Sequence, residues 1–180
     1  LWLPDVFGYS AALPQIMKKS GIDIFVTSKI NWNEANQMPH DTFMWQGIDG
    51  TEILAYLLTS QDKKRGKKPE RYTTYTGLVT PSMVAGTWER YQDKGLNDEA
   101  LLTYGYGDGG GGPAEWMIEN GRRLQRGIKG SPGFRFDTVT SFFRKLEQSV
   151  AAAKTVPKWV GELYLEFHRG TYTSIAKNKR

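Results

Sequence analysis

Short runs of extended-chain residues alternate along this chain with helix-spaced stretches, and glycine or proline stands at most of the changeovers. Strand, loop and helix repeated in this way build α/β layers with a largely parallel sheet. Leu13, Ile16 and Met17 recur at helical spacing within Ala11 to Ser20, and Gly21 is a natural stop. Ile22 to Ser28 reads as a buried strand. Thr42 to Gln46 and Thr51 to Leu58 flank Gly47-Ile48-Asp49-Gly50, and Asp-Gly between extended runs signals a hairpin. Lys63 to Thr76 reads as loop. Pro81 to Lys94 reads as a helix with proline in its first turn and Gly95 at its end. Ala100 to Tyr104 reads as a strand that runs into a glycine loop, and a helix follows from Ala114 to about Ile128. Phe134-Arg135-Phe136 reads as a further strand, Thr140 to Lys154 as an amphipathic helix, and Trp159 to Phe167 as extended chain ending at His168. No repeat or linker interrupts the 180 residues, so one domain is expected.

Composition removes several function classes. Cysteine is absent, which excludes disulfides and thiolate metal sites and fits a reducing cytosol, so a cytoplasmic location is expected. Only two histidines are present, His40 and His168, so a metal site must also use carboxylates or residues outside this chain. No apolar run approaches the ~18 residues of a membrane span. The formal charge of +5 invites a nucleic-acid reading. However, Lys63, Lys64, Arg65, Lys67, Lys68 and Arg71, with Glu70 as their only acid, account for the whole surplus in one stretch. Such a block beside Gly66 and Pro69 is a solvated loop, and a nucleic-acid partner is not expected. The chain opens without an initiator Met, as if a strand were entered midway, and Ile175 to Arg180 reads as a basic helix without a cap. Both ends suggest a piece of a longer chain.

Ligands of α/β sheets and barrels sit at the carboxyl ends of strands. Four points of the sequence fall there: Asp5 with Phe7-Gly8-Tyr9-Ser10, Lys29 to Asn33, Asp108 in its glycine loop, and His168. Three of them also have a plain structural reading: a helix cap for Asp5, an Asx-turn for Asp108, a packed side chain for His168. The loop Gly105-Tyr106-Gly107-Asp108-Gly109-Gly110-Gly111-Gly112-Pro113 has six glycines around an acid and no following Lys-Ser/Thr. An aspartate there repels phosphate, which excludes a nucleotide-binding loop.

Four blocks together carry a resemblance. They are Trp2 to Ser10; Pro39-His40-Asp41-Thr42-Phe43 with Gly47-Ile48-Asp49-Gly50-Thr51; Gly105 to Pro113; and Gly161-Glu162-Leu163-Tyr164-Leu165-Glu166-Phe167-His168-Arg169-Gly170-Thr171-Tyr172-Thr173-Ser174. In this order they resemble the catalytic domain of glycoside hydrolase family 38, the α-mannosidases, and within it the branch of cytosolic, vacuolar and bacterial enzymes. The resemblance implies a retaining, zinc-dependent exo-α-mannosidase on a seven-stranded β/α barrel, acting on terminal α-mannosides. It implies that Asp5 is nucleophile and metal ligand, that Asp108 is the general acid/base and that His168 is a second metal ligand. Lys29 falls where the family places polar substrate contacts, and Trp32, Trp45 and Tyr9 are candidates for stacking on sugar faces or for the core.

Two carboxylates suit a retaining reaction, which needs them roughly 5–5.5 Å apart, so Asp5, Asp108 and His168 are expected to converge. One departure stands out. The family's upstream His-x-Asp motif, which supplies two further zinc ligands, does not occur here. Asp5 and His168 are then half of a four-ligand Zn²⁺ site, the other half is expected upstream, and the chain alone is expected to be inactive. Two rivals remain at this point: a non-catalytic carbohydrate- or metal-binding fragment, and a metal-dependent sugar deacetylase. A mannosidase releases the aglycone of an aryl α-mannoside, a deacetylase releases acetate, and a binding module does neither.

Overall fold

The computed structural model describes residues 1–63 and 72–168, which fall into two compact units. Unit 1 combines Leu1–Leu57 with the described part of Pro157–Arg180, and unit 2 is Leu58–Val156. Most of the basic stretch and the last twelve residues, with the expected helix at Ile175 to Arg180, lie outside the described residues.

In unit 1, β1 (Gly8–Tyr9) leads to α1 (Leu13–Lys19), then β2 (Ile24–Thr27) and a 3-10 turn over Lys29–Trp32. There follow β3 (Thr42–Gln46), β4 (Glu52–Leu57), and, far along the chain, β5 (Lys158–Val160), β6 (Leu163–Tyr164) and a 3-10 turn over Glu166–His168. Helix α1 stops where glycine allows it: Gly21 has φ +73°, and the N–H groups of Ile22 and Gly21 return to the carbonyls of Met17 and Lys18. That pair of bonds closes the last turn and frees the chain to enter β2.

The main sheet has the order β2-β4-β3-β5. β2 and β4 are parallel, β3 and β4 form the expected antiparallel hairpin, and β3 and β5 are parallel. β1 and β6 form a separate antiparallel ribbon. The architecture is mixed α/β, with open sheets and no closed barrel among the described residues. The sheet is largely parallel, as expected: two of its three pairings are parallel, and only the hairpin turns β3 back against β4. β4 lies between two neighbours and its Ile53 to Leu57 are all buried, which is why it reads as a continuous apolar run. Phe25, Phe43, Trp45, Ile53 and Leu57 form the centre of this core with Met17 and Ile30. Burial of each large apolar side chain contributes about 1.5–3 kcal/mol.

Unit 2 holds α2 (Pro81–Arg90), α3 (Glu115–Leu124) and α4 (Val139–Ala152). Thr80 and Thr138 cap α2 and α4 by accepting the N–H groups of Met83 and Ser141. The expected strands at Ala100–Tyr104 and Phe134–Phe136 do not form ladders. Tyr104 makes one parallel bridge to Gly77, and the Phe134 segment has no strand partner among the described residues. Its alternation has another origin: Phe136 points the tip of its ring at Gly121 in α3, where an added Cβ would lie 2.1 Å from its Cζ, while Arg135 is exposed. Among the described residues no helix is long and apolar enough to cross a membrane.

Gly86 sits in α2 against the chain that follows β4; a Cβ there would lie 2.2 Å from the Gln61 carbonyl oxygen and 2.7 Å from the Lys63 nitrogen. Backbone cannot yield as a flexible side chain does. Gly86→Ala is expected to destabilise the protein by roughly 1–3 kcal/mol, as overpacking does, despite alanine's better helix propensity. An unchanged or raised melting temperature would contradict this packing.

Candidate active site

The first residues extend the main sheet beside β2. The Leu3 N–H bonds to the Val26 carbonyl at 3.0 Å, the Val26 N–H to the Leu1 carbonyl at 2.9 Å, and Trp2 bridges Val26 in parallel. Leu1 to Leu3 and β2 therefore point the same way, and whatever follows each emerges at the same edge. Asp5 follows the first and Lys29 the second. Their side chains meet there, with Lys29 Nζ 3.1 Å from Asp5 Oδ1. The Asp5 carboxylate is about half exposed and open to a ligand, whereas the Lys29 side chain is only 13% exposed. The Lys29 ammonium also stands 3.6 Å from the centroid of Trp32, one turn along the same 3-10 segment. A cation held between a carboxylate and an aromatic face fixes both partners.

His168 reaches this end of unit 1 through the β1–β6 ribbon. The Leu165 N–H bonds to the Phe7 carbonyl at 2.7 Å, the His168 N–H closes the terminal turn on the Leu165 carbonyl, and the imidazole lies 4.5 Å from the Phe7 ring centroid. Asp5 and His168, 163 positions apart in the sequence, are thereby both tied to the Asp5–Tyr9 segment. Carboxylate oxygen and imidazole nitrogen are zinc donors in kind. Among the described residues, however, no three His, Asp or Glu side chains form a metal-binding group, so this pair is not a zinc site by itself.

Two aromatic candidates separate. Trp32 is partly exposed beside Lys29, but Trp45 is fully buried. The Trp45 indole N–H donates to the Gly161 carbonyl at 2.7 Å and its ring packs 5.0 Å from Phe25. A ring with no exposed face cannot stack on a sugar, so Trp45 is corrected from substrate contact to core. Tyr9 is also core, with its hydroxyl bonded to the Leu3 carbonyl and to Thr27 Oγ1.

Asp108 belongs to unit 2. Tyr106 and Gly112 exchange backbone hydrogen bonds at 2.8 and 2.9 Å, which closes the glycine loop into a narrow tip with Asp108 exposed on it. Asp108 has φ +52°, a left-handed conformation that aspartate tolerates better than most residues. Gly107 leaves no room for a side chain, because a Cβ would sit 2.3 Å from Thr76 Cγ2. The tip thus presents one acid among backbone groups.

The sequence assigns Glu166 no role and includes Asn33 only as the end of the Lys29 to Asn33 stretch. Glu166 Oε2 accepts the N–H groups of Glu34 and Ala35 at 3.0 and 3.1 Å, and Oε1 accepts that of Asn36. These bonds, that from Asn36 foremost, hold the Glu166 carboxyl below the usual range. Asn33 donates to the Tyr164 carbonyl and accepts the Glu166 N–H, both at 2.9 Å. No local signal marks these residues, because the partners are some 130 positions apart.

A charge cluster in unit 2 borders a cavity of about 610 Å³ lined in part by Trp88, Tyr104 and Phe142. Arg135 grips Glu99 with two bonds of 2.6 and 2.5 Å and also reaches Asp137, which Lys145 approaches at 3.3 Å. Arg135 holds the Glu99 carboxyl below its ordinary value, and bonds from Ser141 and the Thr138 N–H do the same for Asp137. Depressed carboxyls stabilise the fold fully above their unfolded values near 4, and that stability is lost as pH falls through the folded values. The melting temperature of wild type should therefore fall more steeply below about pH 4 than that of Arg135→Met, which lacks the shared partner. Parallel curves would exclude the cluster as an acid-sensitive element.

Comparison with known proteins converges on one family. The profile described as "Glycosyl hydrolases family 38 N-terminal domain" matches residues 1–162. Alpha-mannosidase G of Dictyostelium discoideum is 40% identical over 99% of this chain, Alpha-mannosidase of Saccharomyces cerevisiae 39% over 99%, and Alpha-mannosidase 2C1 of Homo sapiens 37% over 99%. The chain spans 15% of the first relative's length and 16% of each of the other two. The crystal structure of an alpha-mannosidase from Enterococcus faecalis V583 shares the fold, with a TM-score of 0.62 at 14% identity, over 90% of this chain and 17% of that one. The chain belongs to glycosyl hydrolase family 38, by way of that family's N-terminal domain.

Proposed function

We propose that this chain is part of the catalytic domain of a retaining exo-α-mannosidase on the family's β/α barrel, with Asp5 as nucleophile and Asp108 as general acid/base. The observation that carries the proposal is the half-exposed Asp5 carboxylate at a strand end, oriented by Lys29 beside the Trp32 ring. Asp5 attacks the anomeric carbon as the glycosidic C–O bond breaks, and the departing oxygen takes the bond's electron pair and the proton held by Asp108. A water molecule then gives a proton to Asp108, and its oxygen displaces Asp5 from the sugar. Lys29 and Trp32 are suited to the hydroxyls and apolar face of the mannosyl ring. Asp5 and His168 would supply two zinc donors, with the remainder upstream of Leu1; the bound ion would act as a Lewis acid toward sugar hydroxyls.

The test is covalent trapping in the full-length protein. A fluorinated mannosyl donor that slows the second step should label Asp5, seen by peptide mass spectrometry, alongside turnover of an aryl α-mannoside. A label on another carboxylate, or release of acetate from acetylated sugars without mannoside turnover, would overturn the assignment.

A further inference from the structure

We infer that Glu166 is a positioning residue that sets where Lys29 and Trp32 stand relative to Asp5, an inference that rests on the mannosidase reading of this site. Three successive backbone N–H groups, of Glu34, Ala35 and Asn36, converge on its carboxylate. Such a nest of amides is an anion site, and here the anion is a side chain of the protein itself. Hydrogen bonds to a charged acceptor are about twice as strong as neutral ones. The backbone of Glu166 is engaged as well, because its N–H donates to Asn33 Oδ1.

The placement matters because of what the nest adjoins. Residues 33–36 directly follow the 3-10 turn that carries Lys29 and Trp32, while β2 directly precedes that turn. Together with the bond from Asn33 to the Tyr164 carbonyl, the Glu166 carboxylate therefore ties down the end of the turn that lies away from β2. Glu166 also opens the short turn that ends in His168. One carboxylate thus joins the segment that carries Lys29 and Trp32 to the segment that holds His168. The chemistry calls for a carboxylate, since both oxygens accept. A glutamine would keep the length but point an amide N–H at one of the donors.

The test uses Glu166→Ala, Glu166→Gln, Lys29→Ala and the double variant Glu166→Ala/Lys29→Ala in the full-length protein. Displacement of substrate-positioning groups by about 1 Å costs up to about a hundredfold. Glu166→Ala is expected to lower kcat/KM on an aryl α-mannoside by about tenfold to a hundredfold, and Glu166→Gln to recover part of the loss. The double variant should fall little below Lys29→Ala alone, because both changes remove one arrangement. Multiplying losses, or unchanged kcat/KM, would overturn the inference and leave Glu166 a loop anchor.

Amide hydrogen exchange gives a readout independent of turnover. Glu166→Ala should accelerate exchange at residues 34–36 and also at 29–32, whereas acceleration confined to 34–36, or none, counts against positioning. If wild type does not turn over the mannoside, the mannosidase reading fails and the exchange pattern alone decides the role of Glu166. If Glu166→Ala does not fold, Glu166→Gln carries both measurements, with a smaller but parallel loss expected.

Discussion

Asp5→Asn is expected to lower kcat on aryl α-mannosides by roughly 10⁴-fold or more in the full-length protein, the scale seen when a catalytic nucleophile is removed. Asparagine is nearly isosteric and keeps one acceptor oxygen, so packing around the strand end changes little. It cannot form the glycosyl ester, and it ends the ion pair with Lys29. Zinc content should fall in the same variant, because a neutral amide is a poor ligand where a carboxylate is a good one. Near wild-type turnover would sink the nucleophile assignment. Full activity loss with unchanged zinc would separate the two roles and leave Asp5 a nucleophile only.

Asp108→Ala is expected to produce a loss that depends on the leaving group. A general acid contributes about 10²–10⁴-fold where the departing oxygen needs a proton, and little where the aglycone leaves readily as an anion. A series of aryl α-mannosides of rising aglycone pKa should therefore show a steep dependence of kcat/KM in the variant and a shallow one in wild type. Added azide should restore deglycosylation of activated substrates, since a small anion needs no base. Equal losses across the series would make Asp108 a turn residue and nothing more. The φ of +52° bears on the choice of substitution. Asp108→Asn keeps a side chain that accepts the left-handed conformation, so it serves as the control against backbone strain.

The sequence made some of this legible and hid the rest for physical reasons. Helices α1 to α4 are legible because periodicity, Pro81 and Gly21 are local signals. The Asp49-Gly50 hairpin was foreseeable for the same reason: Gly50 takes φ +86° and Asp49 accepts the Thr51 N–H. Two stretches read as strands are not strands. Ala100–Tyr104 and Phe134–Phe136 have strand-like alternation, but alternation does not say whether a neighbour is present. Trp45 stays open between sugar and core in the sequence, and the structure places it in the core, where Phe43 and Trp45 share one face of β3 at period two. Asp5 and Lys29 were placed correctly at strand ends, but their contact depends on Leu1 to Leu3 pairing in parallel with β2, which no local motif declares.

The discontinuity of unit 1 has a consequence for how the protein is made. Its two parts are separated in sequence by the 99 residues of unit 2, and β5, β6 and the Glu166–His168 turn are the last of these pieces to be synthesised. Until they emerge from the ribosome, β3 has no outer partner and the amides of residues 34–36 lack their carboxylate. Unit 2, being contiguous, has all its own residues available earlier. Closing so long a loop carries an entropic cost that grows only with the logarithm of its length, so prior collapse of unit 2 changes that cost modestly while shortening the search. A pause or truncation before residue 158 would leave a nascent chain with β3 as an open sheet edge, and one before residue 166 would leave the amides of residues 34–36 without their carboxylate.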